Sequence, residues 1–120
     1  MATVERKRFD NPDETSSFHD KGQGEIVNIA DGIVRRNTFL PGWRWSEHSK
    51  TTAGNESCQA PHISYVISGR LLVRIDDGSE HEMNPGDLVA IPPGHDAWTV
   101  GDEPCVVLDF AGISMYQKPR

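Results

Sequence analysis

From Glu25 onward the chain is written in short apolar runs broken by turn residues. Between Arg70 and Asp76, Leu71, Val73 and Ile75 alternate with Arg70, Leu72 and Arg74. That period of about two puts successive side chains on opposite faces of an extended strand. Glu25 to Ile29, Ile33 to Phe39, His62 to Ser68, Ser79 to Met83, Leu88 to Ile91, Ala97 to Val100 and Cys105 to Phe110 read as further strands. Asp31-Gly32 marks a hairpin, and Gly69, Asp77-Gly78, Pro85-Gly86 and Pro92-Pro93-Gly94 punctuate the rest. After Pro41-Gly42, Trp43 to His48 predicts one more short strand. No segment carries a sustained helical stripe. About nine or ten short strands at close spacing predict an all-β sandwich or barrel.

Residues 1–24 differ from this pattern. They are polar, are broken by Asn11-Pro12-Asp13 and Gly22-Gln23-Gly24, and hold Phe9 and Phe18 as their large apolar residues. We read them as an arm with little regular structure, draped over a barrel formed by residues 25–115, with 116–120 as a tail. A chain of 120 residues fits one domain of this kind.

Composition narrows the function classes. Eighteen acidic residues against 12 basic ones give a net charge of -6, which argues against nucleic acid as a partner, since that needs a basic face. The sequence has no charged start followed by an apolar run, and no stretch nears the ~20 apolar residues of a membrane span. A cytoplasmic protein with no membrane partner is expected. Its two cysteines, Cys58 and Cys105, are then expected to be reduced. Cys105, within Cys105-Val106-Val107-Leu108, is read as a buried hydrophobe.

The order of elements resembles the cupin family of jelly-roll β-barrels (double-stranded β-helices). The first motif of that family opens with Gly, five residues and His-x-His, continues to a Glu, and closes on a Gly. Here Gly42, five residues and His48 match its opening. His62, six residues and Gly69 match its close, with His62 standing where the family has Glu. The second motif is Gly, five residues, Pro-x-Gly, two residues and His. Gly86, Pro92 and Gly94 fit it without gaps, but its final position falls on Ala97, and His95 lies two residues earlier. The second His of the first motif falls on Lys50 counted from His48, or on Cys58 counted back from His62. The resemblance covers roughly residues 25–110 and implies a single-domain cupin barrel.

With the resemblance come four candidate metal ligands: His48, Cys58, His62 and His95. On extended backbone His62, Ser64 and Val66 share one face, Arg44, Ser46 and His48 share another, and His95 shares a face with Ala97. Three imidazoles and a thiol suit Zn²⁺ best, and Fe, Mn and Ni are the other metals considered. The bland alternative is that the histidines are hydrogen-bonded loop ends and Cys58 a small buried thiol. His19 and His81 are read as exposed and Glu56 as a loop charge. Asp96 either orients His95 or caps a turn. Trp43 and Trp45, opposite in parity to His48, are expected to pack in the core or against a second copy in a homodimer.

Three functions compete. One is a metal-dependent enzyme acting on a small-molecule substrate. Another is a non-catalytic module that binds or senses a small-molecule ligand. The third is an accessory subunit with a vestigial pocket. The sequence by itself leaves the choice between enzyme and binder open.

Overall fold

The computed structural model describes residues 4–48 and 62–110, with the side chains of His48 and His62 outside the description. Nine strands run in chain order: β1 (Glu14–Ser17), β2 (Gly22–Ile29), β3 (Gly32–Phe39), β4 (His62–Ser68), β5 (Arg70–Ile75), β6 (Glu80–Met83), β7 (Leu88–Ile91), β8 (His95–Val100) and β9 (Cys105–Asp109). A single helical turn, α1 (Trp45–His48), lies between β3 and β4. One sheet has the order β1-β2-β3-β9-β4-β7 and the other β6-β5-β8. All strand pairs are antiparallel. The two inner faces enclose the core of a jelly-roll barrel, as the strand pattern and the resemblance predict.

Period-two alternation decides what each strand contributes to that core. From the larger sheet come Phe39, Val66, Ile91, Cys105 and Val107, and from the smaller one Leu71, Val73, Met83 and Ala97, all buried. Cys105 is fully enclosed, and burial pushes its thiol up to about 11, so it stays a neutral, unreactive hydrophobe. Trp43 and Trp45 join the same core at 4% and 9% exposure. Trp43 packs on Phe39 with ring centroids 4.0 Å apart, and Phe18 closes a three-ring cluster at 5.3 Å from Phe39 and 6.2 Å from Trp43. Of the two roles expected for the tryptophans, core packing is the one found. Neither is available for a contact between copies.

Three local expectations change. The stretch Trp43–His48 is not a strand: Arg44 makes one isolated bridge to Trp98, and the chain then turns helically. The reason is non-local. The Asp96 carboxylate accepts a hydrogen bond from the Ser46 backbone N–H at 3.0 Å and another from Arg44 Nε at 3.1 Å, capping the turn from the outer side of β8. The arm is also more regular than its polarity suggests, because Glu14–Ser17 extends the larger sheet as β1 against β2. The remainder of the arm docks through Asp13 accepting from the Asn28 N–H at 2.7 Å, and through Phe9 beneath the Arg36 guanidinium at 5.2 Å. Third, the β2–β3 hairpin turns on Ala30 and Asp31 rather than on Asp31-Gly32, since Ile29 pairs with Gly32.

Both turn residues of that hairpin have positive φ, 50° at Ala30 and 61° at Asp31. Two positive φ values are the signature of the tight turn that matches strand twist. An alanine in this region is disfavoured by about 1 kcal/mol or more relative to glycine. Ala30→Gly is therefore expected to raise the melting temperature by about 4 °C. Differential scanning calorimetry of the two proteins checks this, and a lower midpoint for Ala30→Gly contradicts the turn geometry.

Candidate functional site

Strand register brings the chemistry-bearing positions to one end of the barrel. β4 begins there with His62, which pairs with Ile91 at the end of β7. The chain then crosses through Pro92-Pro93-Gly94 to His95, the first residue of β8 and the partner of Ile75 at the end of β5. β9 ends at the same level, where Asp109 pairs with Ser64 of β4 on one side and Arg35 of β3 on the other. Gly94 permits the tight crossing: its φ is 85°, and a Cβ there would lie 2.6 Å from Asp76 Oδ2.

His95 is the ligand candidate whose surroundings are described. It is 4% exposed, on the inner face with Ala97 and Thr99. Its Nδ1 donates to the Pro92 carbonyl oxygen at 2.9 Å. A carbonyl can only accept, so Nδ1 carries the proton, and in the neutral ring Nε2 keeps the lone pair. An imidazole held by a backbone carbonyl through its other nitrogen is the usual arrangement of a metal-ligating histidine. Asp96 does not orient this ring. Its carboxylate bonds Arg44, Ser46 and the Ala97 N–H on the outer face.

The other three candidates are only partly placed. His48 is the last residue of α1, and His62 has the strand parity of Ser64 and Val66. Cys58 and Glu56 lie outside the described residues. Among the described residues, no three His, Cys, Asp or Glu side chains form a metal-holding group. His19 and His81 are exposed, as expected.

Two buried polar groups on the inner face were not singled out from the sequence: Ser64, 5% exposed, and Asp109, 4% exposed. The signal was present in their parity. Asp109 continues the alternation Cys105, Val107, and Ser64 lies between His62 and Val66. Deeper in the barrel, Thr99 Oγ1 is buried with no hydrogen-bond partner among the described residues. An interior that holds a histidine, a carboxylate and two hydroxyls is more polar than packing requires.

On the outer side of β8, the Arg44 and Arg74 guanidinium groups both lie over the Trp98 indole, at 4.3 Å and 5.4 Å. With Asp96 this fixes α1 against β8. Burial alone would raise the Asp96 carboxyl, but the bonds from Ser46, Ala97 and Arg44 outweigh it and hold the group below its ordinary value of 3.8. A depressed folded value means that the stabilisation is complete above the unfolded value and is lost as pH falls through the folded one. Asp96→Asn, which weakens these bonds, is expected to cost about 1–2 kcal/mol at pH 7. The difference between the two proteins should shrink below about pH 4. Urea titrations at pH 7 and pH 3 measure it, and a difference independent of pH contradicts the assignment.

The family description "Cupin domain" matches residues 45–111. This chain belongs to the cupin family. The match runs from α1 through β9 and so takes in both ends of the site just described. Similar solved structures include a sugar phosphate isomerase from a cupin superfamily, from Silicibacter pomeroyi (20% identity, 88% of this chain and 73% of that one, TM-score 0.62). KdgF from a Halomonas species is 18% identical, with 85% and 90% covered and a TM-score of 0.58. A cupin-like protein from Thermotoga maritima is 18% identical, with 82% and 72% covered and a TM-score of 0.54. No curated protein matches the sequence. At these identities the likeness is one of fold. Among the described residues no helix is long and apolar enough to cross a membrane.

Proposed function

We propose that this cupin binds a divalent metal ion at the His95 end of its barrel and presents it to a small molecule. His95 is the described member of the proposed ligand set, and His48, Cys58 and His62 are the others. The observation that carries this is the His95 ring: buried at 4% exposure, with Nδ1 committed to the Pro92 carbonyl at 2.9 Å. A divalent ion bound there would supply Lewis-acid chemistry, polarising a carbonyl or activating water or dioxygen. Three imidazoles and a thiolate favour Zn²⁺, and a set completed by oxygen donors suits Fe, Mn or Ni as well. The chain's own part is to fix the imidazole, exclude bulk water behind the Ile91 and Ile75 positions, and offer hydroxyl and carboxylate groups to an oxygen-rich ligand.

The test is metal analysis of protein purified without added metal, followed by reconstitution with Zn²⁺, Mn²⁺, Fe²⁺ and Ni²⁺ and thermal-shift measurement. Bound metal or a raised midpoint supports the proposal. Absence of both ends it. Turnover of small hydroxylated substrates by the metal-loaded protein separates an enzyme from a binding module, which would show stabilisation without turnover.

A cytoplasmic setting and a homodimer belong to the same proposal. The support for a dimer is not the tryptophans but Tyr65 and Leu88, a cross-strand pair on β4 and the edge strand β7, 40% and 69% exposed. Ile67 beside them is 46% exposed. Light scattering settles this against the 13.3 kDa of one chain.

A further inference from the structure

A cleft of about 560 Å³ lies over the β1-β2-β3 edge of the larger sheet, a volume ordinary for a small-molecule site. It is at the far end of the barrel from His95. Thr38, in its lining, pairs with Val106 near the start of β9, whereas the His95 end is reached by Asp109 at the finish of that strand.

Register builds its floor. Ser17, Gln23 and Thr38 lie directly opposite one another across three strands, so their side chains share a face at a spacing of about 5 Å. Thr38 has the opposite parity to buried Phe39, and that face is therefore the outer one. In the next row Thr15, Glu25 and Arg36 are opposite one another in the same way. His19 and Asp20, from the turn between β1 and β2, and Leu40, just past β3, also line the cleft.

Gln23 is exposed, yet its amide is fixed by a buried acid. Its Nε2 donates to Glu25 Oε2 at 2.6 Å, and Glu25 Oε1 accepts from Arg36 Nε at 2.8 Å. Glu25 is 5% exposed. A carboxylate accepts, so the amide nitrogen faces it, and Gln23 Oε1 is the atom left for a ligand. Ser17 Oγ donates to the His19 carbonyl at 2.9 Å and keeps its lone pairs for a further donor.

The lining selects the ligand. A phosphate or carboxylate would meet Asp20 and no Lys or Arg of the cleft, and an apolar molecule would find Leu40 as its one large apolar contact. Hydroxyl groups suit it. They can donate to Asp20 and to Gln23 Oε1, and can both give and take hydrogen bonds with Thr15 and Thr38. We propose that this cleft binds a neutral mono- or disaccharide, with Gln23 Oε1 as the pre-set acceptor. It is a second site, independent of metal binding at the His95 end.

The experiment is heteronuclear NMR of the nitrogen-labelled full chain, titrated with glucose, mannose, galactose, maltose and lactose to about 50 mM. At least one sugar is expected to shift the backbone amides of residues 15–23 and the Gln23 side-chain amide, with a dissociation constant of about 1–10 mM. Gln23→Met keeps the side-chain length and removes the acceptor, and is expected to weaken that sugar at least tenfold. Thr38→Val is expected to weaken it at least threefold, and His95→Ala to leave it within twofold. The spectra themselves show that each variant is folded. Absence of shifts with every sugar overturns the proposal, as do shifts confined to residues 62–66 and 91–97, or Gln23→Met binding within twofold of the starting protein. Glucuronate binding as tightly as the neutral sugar overturns the assignment of a neutral ligand. All of these results leave the metal proposal standing.

Discussion

His95→Ala is expected to lose divalent-metal affinity by about a hundredfold or more while the chain stays folded. The ring is the best-positioned donor in the described part of the barrel, because the Pro92 carbonyl fixes both its rotation and its tautomer. Removing it also leaves that carbonyl without its imidazole partner and opens a small space at the buried start of β8. Together these cost about 1–3 kcal/mol of stability, well short of unfolding a domain of this size. The two effects separate experimentally. Calorimetry in EDTA reads the stability loss, and titration with Zn²⁺ reads the affinity. Unchanged affinity in a folded His95→Ala protein would remove the residue from the site and with it the main support for metal binding.

Gly69→Ala is expected to be the most damaging single substitution in the barrel, at about 3 kcal/mol or more. Gly69 joins β4 to β5, one of the places where the chain crosses from the larger sheet to the smaller, and its φ is 75°. A side chain at this φ is strained whatever its surroundings. Here the surroundings are also closed: a Cβ would overlap the Pro104 carbonyl oxygen and approach Cys105 Cα at 2.6 Å. Both are backbone atoms at the start of β9, so relief requires moving a central strand of the larger sheet. The register already slips between Val66 and Ser68 to accommodate the turn. Urea denaturation of the altered protein measures the loss, and a midpoint within error of the starting protein contradicts the close approach.

Much of the fold was legible before any coordinates. The strand from His62 to Ser68 and the run Leu88 to Ile91 are found with the bounds read from the sequence. The Leu71, Val73 and Ile75 alternation is the inner face of β5, buried or partly buried as period two requires. These succeeded because Gly and Pro punctuation and apolar alternation are local, and each restricts the backbone whatever the rest of the chain does. The errors share the opposite cause. Trp43 to His48 looks like a strand, but an aspartate 50 residues away caps Ser46 into a helical turn. Glu14-Thr-Ser-Ser has no apolar signal, and it is a strand because the edge of β2 offers unpaired backbone groups.

The candidate site divides the same way. His95 was legible as an inner-face histidine from its spacing to Pro92-x-Gly94. That Pro92, rather than Asp96, would hold its Nδ1 was not, because a turn carbonyl leaves no trace in residue type. Asp109 was passed over because an acid closing an apolar strand looks like the step out to solvent. Only the register against Ser64 shows that its strand has not yet left the barrel. The sequence by itself determined an all-β chain, its turns and most of its strand faces, since those follow from steric limits and hydrophobic periodicity over a few residues. The tertiary structure decided which polar residues meet at the barrel end and which charges are spent on the outer wall, since that depends on strand order between segments far apart along the chain.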